Sequence, residues 1–280
     1  MDCAKLRSAL FATGRGFRCA GIGIGRTAKF SGGVISAQLA KVNPDVFREL
    51  AWVSSNVYTL LMPRREQIVD RGDDGRLPVV LVHGLGSNRG TWTPLRAFLR
   101  LHGHRRLYAF GYEAGSIEEH GRNLAAFIDE VLAATGAAKV DLVAHSLGGI
   151  VSRYALQRAG AANKVRQLIT LASPHGGTYA AFYANTLLTR SLRPESEIIA
   201  DLNRDDLTAV PWKFTAVYSD RDVYVVPKEM MTHPAAENIF VPDISHTQHL
   251  AAPVVLREVL LKLSDGEIRM HTPEGAPVLG

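Results

Sequence analysis

The chain has 280 residues, of which 46% are hydrophobic and 21% charged, which is ordinary for a globular protein and sufficient for a sizeable core. It contains no run of about 18 apolar residues, and the short apolar run near the N-terminus is interrupted, so neither a membrane span nor a secretory signal is indicated. These features favour a cytoplasmic or peripheral membrane location. Cys3 and Cys19 are the only cysteines, so the body of the chain has no disulfide framework and no cysteine-based metal site.

The net charge of +5 belongs to the beginning of the chain. Residues 1–33 carry six basic residues against Asp2 alone, and the remaining charges balance. Small residues interrupt this stretch without periodicity, so we predict a basic, disordered arm over 1–40. Such an arm would be attracted to an anionic lipid surface, whereas no interleaving of basic and aromatic residues indicates nucleic acid.

The first predicted element is an amphipathic helix over 44–62, in which apolar residues recur at roughly helical spacing. It forms most of a helical extension over 41–75. We expect the helix to pack on the body of the protein; the alternative is that its apolar face lies on a membrane.

From Pro78 onward, short apolar runs alternate with helical patterns. Strands are predicted at 78–84, 106–112, 139–146, 164–173, 213–219 and 237–244, and helices at 116–136, 148–160 and 253–263. The continuous apolar runs are typical of strands buried on both faces. Ser116 and Glu119 form a capping-box pattern, Gly136 is a plausible C-terminal stop, and Pro253 opens the last helix.

This alternation predicts the α/β class, with a mainly parallel sheet and helices on both faces. We expect the domain to span 76–264 and a tail to cover 265–280. Residues 178–210 interrupt the alternation, and we predict that they form a short lid over the site (the lid segment).

A serine lies between a predicted strand and a predicted helix, in the sequence AHSLGG at 144–149. A hydroxyl nucleophile has to stand clear of the sheet edge, and a tight strand-to-helix turn achieves this. In such a turn the residues two positions before and two after the serine approach each other, so both have to be small, and Ala144 and Gly148 meet that need. The following helix directs its N-terminus at the site, which favours a developing oxyanion. The pattern therefore predicts Ser146 as a nucleophile.

A glycine-rich turn, HGLG at 83–86, closes the first predicted strand. A tetrahedral intermediate needs two hydrogen-bond donors that do not have to reorganise, and the backbone of such a turn can supply one. The residue after the nucleophile can supply the other. We therefore assign Leu85 and Leu147 as oxyanion donors through their backbone N–H groups; the alternative is a plain glycine turn.

Candidates for an acid and a base follow the last two predicted strands. Asp220 and Asp222 offer the acid, of which we prefer Asp222, although either could be a turn-forming aspartate. His246 and His249 offer the base. We prefer His246 because it lies nearer the strand end, while His249 can belong to the last helix. Serine, acid and histidine then follow the chain order of the α/β-hydrolase fold.

These motifs resemble the lipase and esterase branch of the α/β-hydrolases, in particular small bacterial triacylglycerol lipases and lipase-like relatives of inositol deacylases. The resemblance covers about residues 76–264. It rests on VLVHGLG (80–86), VAHSLGG (143–149), LASPHGGT (171–178), DVYVVP (222–227) and SHTQHL (245–250). It implies the α/β-hydrolase fold, with Ser146, Asp222 and His246 as a catalytic triad.

The resemblance also leads to a predicted pocket. We expect its wall to include His83, Gly84, His175, Phe182 and Tyr183. For His175, an interpretation as a histidine satisfied by backbone hydrogen bonds stays open, and the aromatic residues of the lid segment could equally be core.

The predicted reaction is a two-step acyl transfer on an ester or lipid, with no metal and no organic cofactor. An acyltransferase or an amidase would use the same triad, so both remain alternatives, as does the choice between lipase and esterase. A non-catalytic interaction protein on this scaffold commonly lacks the serine or the histidine, and both are present here.

Overall fold

The structure, a computed structural model, describes residues 66–112 and 115–264. Within them, six parallel strands form one sheet in the order β2-β1-β3-β4-β5-β6. The strands are β1 (Val79–Val82), β2 (Leu107–Phe110), β3 (Val140–His145), β4 (Val165–Leu171), β5 (Lys213–Tyr218) and β6 (Glu237–Phe240). The predicted α/β class with a parallel sheet is confirmed. Every predicted strand is present, and each is shorter than predicted.

Burial on both faces of the sheet explains why the sequence of β1 is continuously apolar. Val80 and Val82 belong to one hydrophobic core, and Val79 and Leu81 belong to another on the opposite face of the sheet. All four side chains are at most 1% exposed. Successive strand residues point to opposite faces, so a strand covered on both sides has no polar position.

Helices pack on both faces of the sheet. They are α1 (Thr93–Leu101), α2 (Ile117–Thr135), α3 (Leu147–Arg158), α4 (Leu187–Ser191), α5 (Glu197–Leu202) and α6 (Pro253–Leu263). Apolar residues of α2 and α3 join the core of Val80, whereas those of α1 and α6 join the core of Val79. The expectation of helices on both faces is confirmed.

The ends of the helices follow local sequence signals. The Ser116 hydroxyl accepts the Glu119 N–H at 3.2 Å at the start of α2, and Gly136 ends that helix with a positive φ of 66°. Helix α1 was not predicted, although Pro94 stands in its first turn and Leu95 and Leu99 are its buried residues.

The lid segment contains one short 3-10 helix (Tyr179–Phe182) followed by α4 and α5. Its second half is held against α3, since Arg158 forms ion pairs with Asp201 at 2.8 Å and with Asp205 at 2.6 Å. The lid segment is therefore anchored to the helix that follows the serine.

Residues 66–76 run without helix or strand beside the edge strand β2. The Glu66 carboxylate accepts the N–H of Ala109 in β2 at 2.6 Å, and it pairs with Arg71, Arg89 and Arg96 at 2.8, 3.4 and 2.8 Å. The predicted arm over 1–40, the predicted helix over 44–62 and the predicted tail over 265–280 lie outside the described residues. Among the described helices, none is long and apolar enough to cross a membrane.

Candidate active site

Ser146 stands between the end of β3 and the first residue of α3. Its backbone has φ 55° and ψ −127°, a conformation that residues with a side chain adopt rarely and at a cost of about 1–3 kcal/mol. Its N–H donates to the carbonyl oxygen of Leu171 in the neighbouring strand at 2.9 Å. The strained turn and the helix N-terminus behind it are the two features that a nucleophile elbow requires.

Close packing of β1 against this turn explains the glycine at position 148. A Cβ atom there would overlap the carbonyl oxygen of Val82 and lie 2.6 Å from that of His83. The sequence argument attributed the need for a small residue to the approach of Ala144. The structure corrects this reason, because the three atoms nearest to that Cβ belong to Val82 and His83.

His246 and Asp222 form a buried pair. The imidazole Nδ1 and the carboxylate Oδ2 are 2.6 Å apart, and the Asp222 side chain has no exposed surface. The other carboxylate oxygen accepts the backbone N–H groups of Tyr224 and Val225, each at 2.8 Å. Burial by itself would raise the pKa of Asp222, but the His246 ring and the Val225 amide outweigh burial and lower that pKa below its ordinary value.

The alternative residues occupy different environments. Asp220 is exposed, and its carboxylate accepts the N–H of Asp243 at 2.9 Å. His249 lies in a 3-10 helix (Thr247–Leu250) that precedes α6, and its Nδ1 donates to the Ser245 carbonyl at 2.9 Å. Of the two aspartates and two histidines, Asp222 and His246 are the ones that contact each other.

His145 supports the histidine of this pair from behind. Its Nε2 donates to the carbonyl oxygen of His246 at 3.0 Å, and the two rings are 4.6 Å apart. Burial, followed by the charge of His246, holds the pKa of His145 well below 6.5. His145 therefore remains neutral and fixes the backbone of the loop that carries His246.

Ser146, His246 and Leu85 line one cavity of about 350 Å³ at the carboxyl ends of the strands. Strand order changes direction between β1 and β3, and crevices at such a point are the usual ligand sites of open α/β sheets. The lid segment contributes Thr178, Ala180, Ala181, Thr189 and Leu192 to the wall.

Four of the five predicted pocket residues need correction. Gly84 lines the cavity, whereas the other four, all in the described part of the chain, do not. The His83 ring turns inward and stacks on Tyr112 at 4.3 Å. His175 is buried, with its Nε2 2.9 Å from the Thr170 hydroxyl.

Phe182 and Tyr183 of the lid segment point outward instead. Phe182 is 44% exposed and Tyr183 is 84% exposed. The spacing of apolar residues in a short segment does not show which side of it faces the cavity. The orientation of Phe182 and Tyr183 therefore could not be predicted from the sequence. The described residues contain no group of three or more histidine, cysteine or acidic side chains that could hold a metal ion.

Sequence reasoning missed two residues beside this site. Tyr224 lines the cavity with its ring 5.1 Å from that of His246, and Tyr112 follows β2 and contacts His83. Tyr224 stands in the DVYVVP segment, and Tyr112 comes two residues after the end of β2. Both lie close to strand ends, which is the signal that could have identified them.

The sheet order, the strained serine after β3 and the Asp222–His246 pair define a protein of the α/β-hydrolase fold. The chain belongs to the lipase (class 2) family, whose model matches residues 76–250. The resemblance predicted from the motifs is confirmed.

Curated relatives match about half of the chain. A triacylglycerol lipase of Pseudarthrobacter phenanthrenivorans is 37% identical over 136 residues, which cover 45% of this chain and 42% of that protein. A triacylglycerol lipase of Burkholderia plantarii is also 37% identical over 136 residues, covering 45% of this chain and 37% of that protein. The chain thus matches less than half the length of these two relatives.

The fold is also similar to solved structures. The mature form of the Bacillus licheniformis lipase BlEst2 has a TM-score of 0.61 and 20% identity, covering 70% of this chain and 96% of that chain. Aspergillus fumigatus lipase B has a TM-score of 0.59 and 17% identity, covering 71% and 55%. At this identity the similarity shows the fold alone.

Proposed function

We propose that this chain is a carboxylic ester hydrolase of the lipase or esterase type, with Ser146 as nucleophile, His246 as general base and Asp222 as the acid that orients the base. The observation that carries the proposal is the buried 2.6 Å pair of His246 and Asp222 at a cavity that a strained serine also lines. Membership of the lipase (class 2) family supports it.

In the first step, His246 takes the proton of the Ser146 hydroxyl as the oxygen attacks the ester carbonyl. The same proton passes to the alkoxide of the leaving alcohol, and the acyl group remains on the serine. In the second step, His246 takes a proton from water, the hydroxide attacks the acyl-enzyme, and the proton returns to Ser146 as the acid leaves. The ionised Asp222 stabilises the imidazolium that forms in both steps.

Charge develops on the carbonyl oxygen in both steps. We assign its stabilisation to the backbone N–H groups of Leu85, in the loop after β1, and Leu147, at the first residue of α3. Donors on rigid backbone do not have to reorganise as the charge forms. The positive end of α3 adds to the same effect.

The proposed substrates are esters with an apolar acyl group, including lipids. Apolar residues of the lid segment support contact with a lipid surface, since Phe182, Tyr183 and Leu187 are 44%, 84% and 53% exposed. Exposed apolar side chains grouped in one segment are a common feature of surfaces that meet a partner or an interface.

The test is hydrolysis of p-nitrophenyl esters from acetyl to palmitoyl by the wild type, Ser146→Ala and the matched control Ser152→Ala. Ser152 lies in α3, and its hydroxyl donates to the Gly148 carbonyl. We expect the wild type and Ser152→Ala to cleave and to be labelled by a fluorophosphonate probe, and Ser146→Ala to lose both properties. The chain-length profile then separates esterase from lipase. A wild type that neither cleaves nor takes up the probe would contradict the proposal.

A further inference from the structure

His83 and Tyr112 form a closely bonded pair behind the loop that carries Leu85. Their rings stack with centroids 4.3 Å apart and planes 7° apart. The Tyr112 hydroxyl donates to the carbonyl oxygen of His83 at 2.6 Å, and the Tyr112 backbone N–H donates to the His83 Nε2 at 3.4 Å. His83 follows β1 and Tyr112 follows β2. These strands are neighbours in the sheet, with Val82 opposite Phe110.

The His83 ring in turn holds the next peptide. Its Nδ1 lies 2.9 Å from the Gly84 carbonyl oxygen, which also accepts the Ser87 N–H at 3.3 Å. Since a carbonyl accepts, Nδ1 carries the proton, and since Nε2 accepts from Tyr112, the ring is neutral. Burial lowers the pKa of His83 to about 4, in agreement with this neutral form.

The orientation of one peptide plane follows from these bonds. The Gly84 carbonyl and the Leu85 N–H belong to the same trans peptide, in which the two groups point in opposite directions. Holding the carbonyl toward the His83 ring therefore directs the Leu85 N–H away from that ring. Leu85 is one of the residues that line the cavity in the described part of the chain, and His83 is not.

Space on the other side of the loop is equally restricted. A Cβ at Gly84 would lie 2.8 Å from the Cβ of Ser146, so the loop passes close to the serine and leaves no room for a side chain between them. The Tyr112 hydroxyl holds the same loop through the His83 carbonyl oxygen. The position of the Leu85 N–H relative to Ser146 thus depends on both contacts.

We infer that Tyr112 is a positioning residue for ester hydrolysis: its hydroxyl, through the His83 carbonyl and ring, orients the Leu85 N–H toward the oxyanion. This inference rests on the proposed function. Loss of the Tyr112 hydroxyl should therefore destabilise the transition state and leave substrate binding unchanged, because an oxyanion donor acts where charge develops.

The test compares Tyr112→Phe with the wild type and with Tyr108→Phe. Phenylalanine keeps the stacked ring and removes only the hydroxyl. Tyr108 is a matched control because its hydroxyl also donates to a backbone carbonyl, that of Val69 at 2.9 Å, but at the edge of the sheet. The measurements are kcat and KM on a short p-nitrophenyl ester, the inhibition constant of a phenylboronic acid and the melting temperature.

For Tyr112→Phe we expect kcat to fall about tenfold, less than the loss on deleting an oxyanion donor, with KM within about twofold of the wild type. Affinity for the boronate, whose tetrahedral adduct carries a similarly placed oxygen, should fall by the same factor as kcat/KM. Tyr108→Phe should keep wild-type kinetics at a similar melting temperature.

An unchanged kcat in Tyr112→Phe, a kcat loss without loss of boronate affinity, or an equal loss in Tyr108→Phe would each overturn the inference and leave the hydrolase proposal intact. A wild type without activity and without fluorophosphonate labelling would instead overturn the proposed function itself, and this inference with it.

Discussion

Each oxygen of the Asp222 carboxylate has its own partners. One oxygen accepts two backbone N–H groups, which fix the side chain, and the other faces the His246 ring. An asparagine would keep the shape, but if its oxygen stayed on the backbone donors its NH₂ group would face Nδ1. The imidazole would then carry its proton on the wrong nitrogen to act as a base toward Ser146.

We therefore expect Asp222→Asn to lower kcat by about 10⁴-fold. Asp220→Asn is the matched control, because Asp220 is exposed and its carboxylate accepts the Asp243 N–H instead of contacting His246; its kcat should equal that of the wild type. Steady-state kinetics on one soluble ester checks both variants. A loss of activity in Asp220→Asn with none in Asp222→Asn would reverse the assignment of the acid.

At the scale of elements, the contact between β1 and α3 brings the two proposed oxyanion donors together. Helix α3 starts without a linker after the serine, and its first turn lies against the carbonyl groups of Val82 and His83. Position 148 leaves no space for a methyl group. A shift of either element changes the separation of Leu85 and Leu147.

Gly148→Ala should therefore reduce both stability and activity. Overpacking of this kind costs about 1–3 kcal/mol of unfolding free energy, and we expect kcat to fall by more than tenfold, about as for a misplaced donor. Urea unfolding and ester kinetics measure the two effects. Ala144→Gly is the control, because it adds no atoms to the elbow and should cost only about 1 kcal/mol and retain activity. Retained activity in Gly148→Ala would contradict the contact.

The sequence predicted the elements that have a strong local signal. Buried parallel strands read as continuous apolar runs, and α2 has a cap, an apolar stripe and a C-terminal glycine, so both were found. Helix α1 was missed because it follows an irregular loop and a 3-10 helix (Arg89–Trp92). Strand ends were placed too late because the chain leaves the sheet to form the loops of the site, where the apolar pattern continues.

Of the candidate site, the sequence predicted the proposed catalytic residues but not the pocket wall. Ser146, Asp222 and His246 follow strands in sequence, and parallel strands end at one edge, so their proximity could be expected. The pocket wall could not, because it depends on side-chain direction. His83 turns toward Tyr112, and Phe182 turns toward solvent, for reasons that lie in segments distant along the chain.

Across the whole molecule, neutral histidines are a recurring feature of the interior. Burial is the first cause that lowers the pKa of His83 and that of His249 to about 4, from an ordinary value near 6.5. The unfolded chain binds protons at these positions between about pH 6.5 and pH 4, while the folded chain does not. Their contribution to stability is therefore complete above pH 6.5 and is lost as the pH falls toward 4.

We expect the free energy of unfolding to be nearly constant above about pH 7 and to fall progressively below about pH 6.5. Urea unfolding at a series of pH values from 8 to about 4 measures it. His249→Gln removes one of these groups, so its stability should fall less steeply over the same interval. Equal unfolding free energies at about pH 7 and pH 5 would contradict this account.

Glu66 lies ten residues before the first residue that the family model matches. Its carboxylate neutralises a cluster of arginines and occupies the outward N–H of Ala109 on the edge strand. Trimming the protein to the boundary of its family would remove Arg71 together with Glu66. It would leave Arg89 and Arg96 without this carboxylate and an edge amide open to another chain. Expression of this domain should therefore begin before Glu66, so that the contacts of its carboxylate with Ala109, Arg89 and Arg96 are kept.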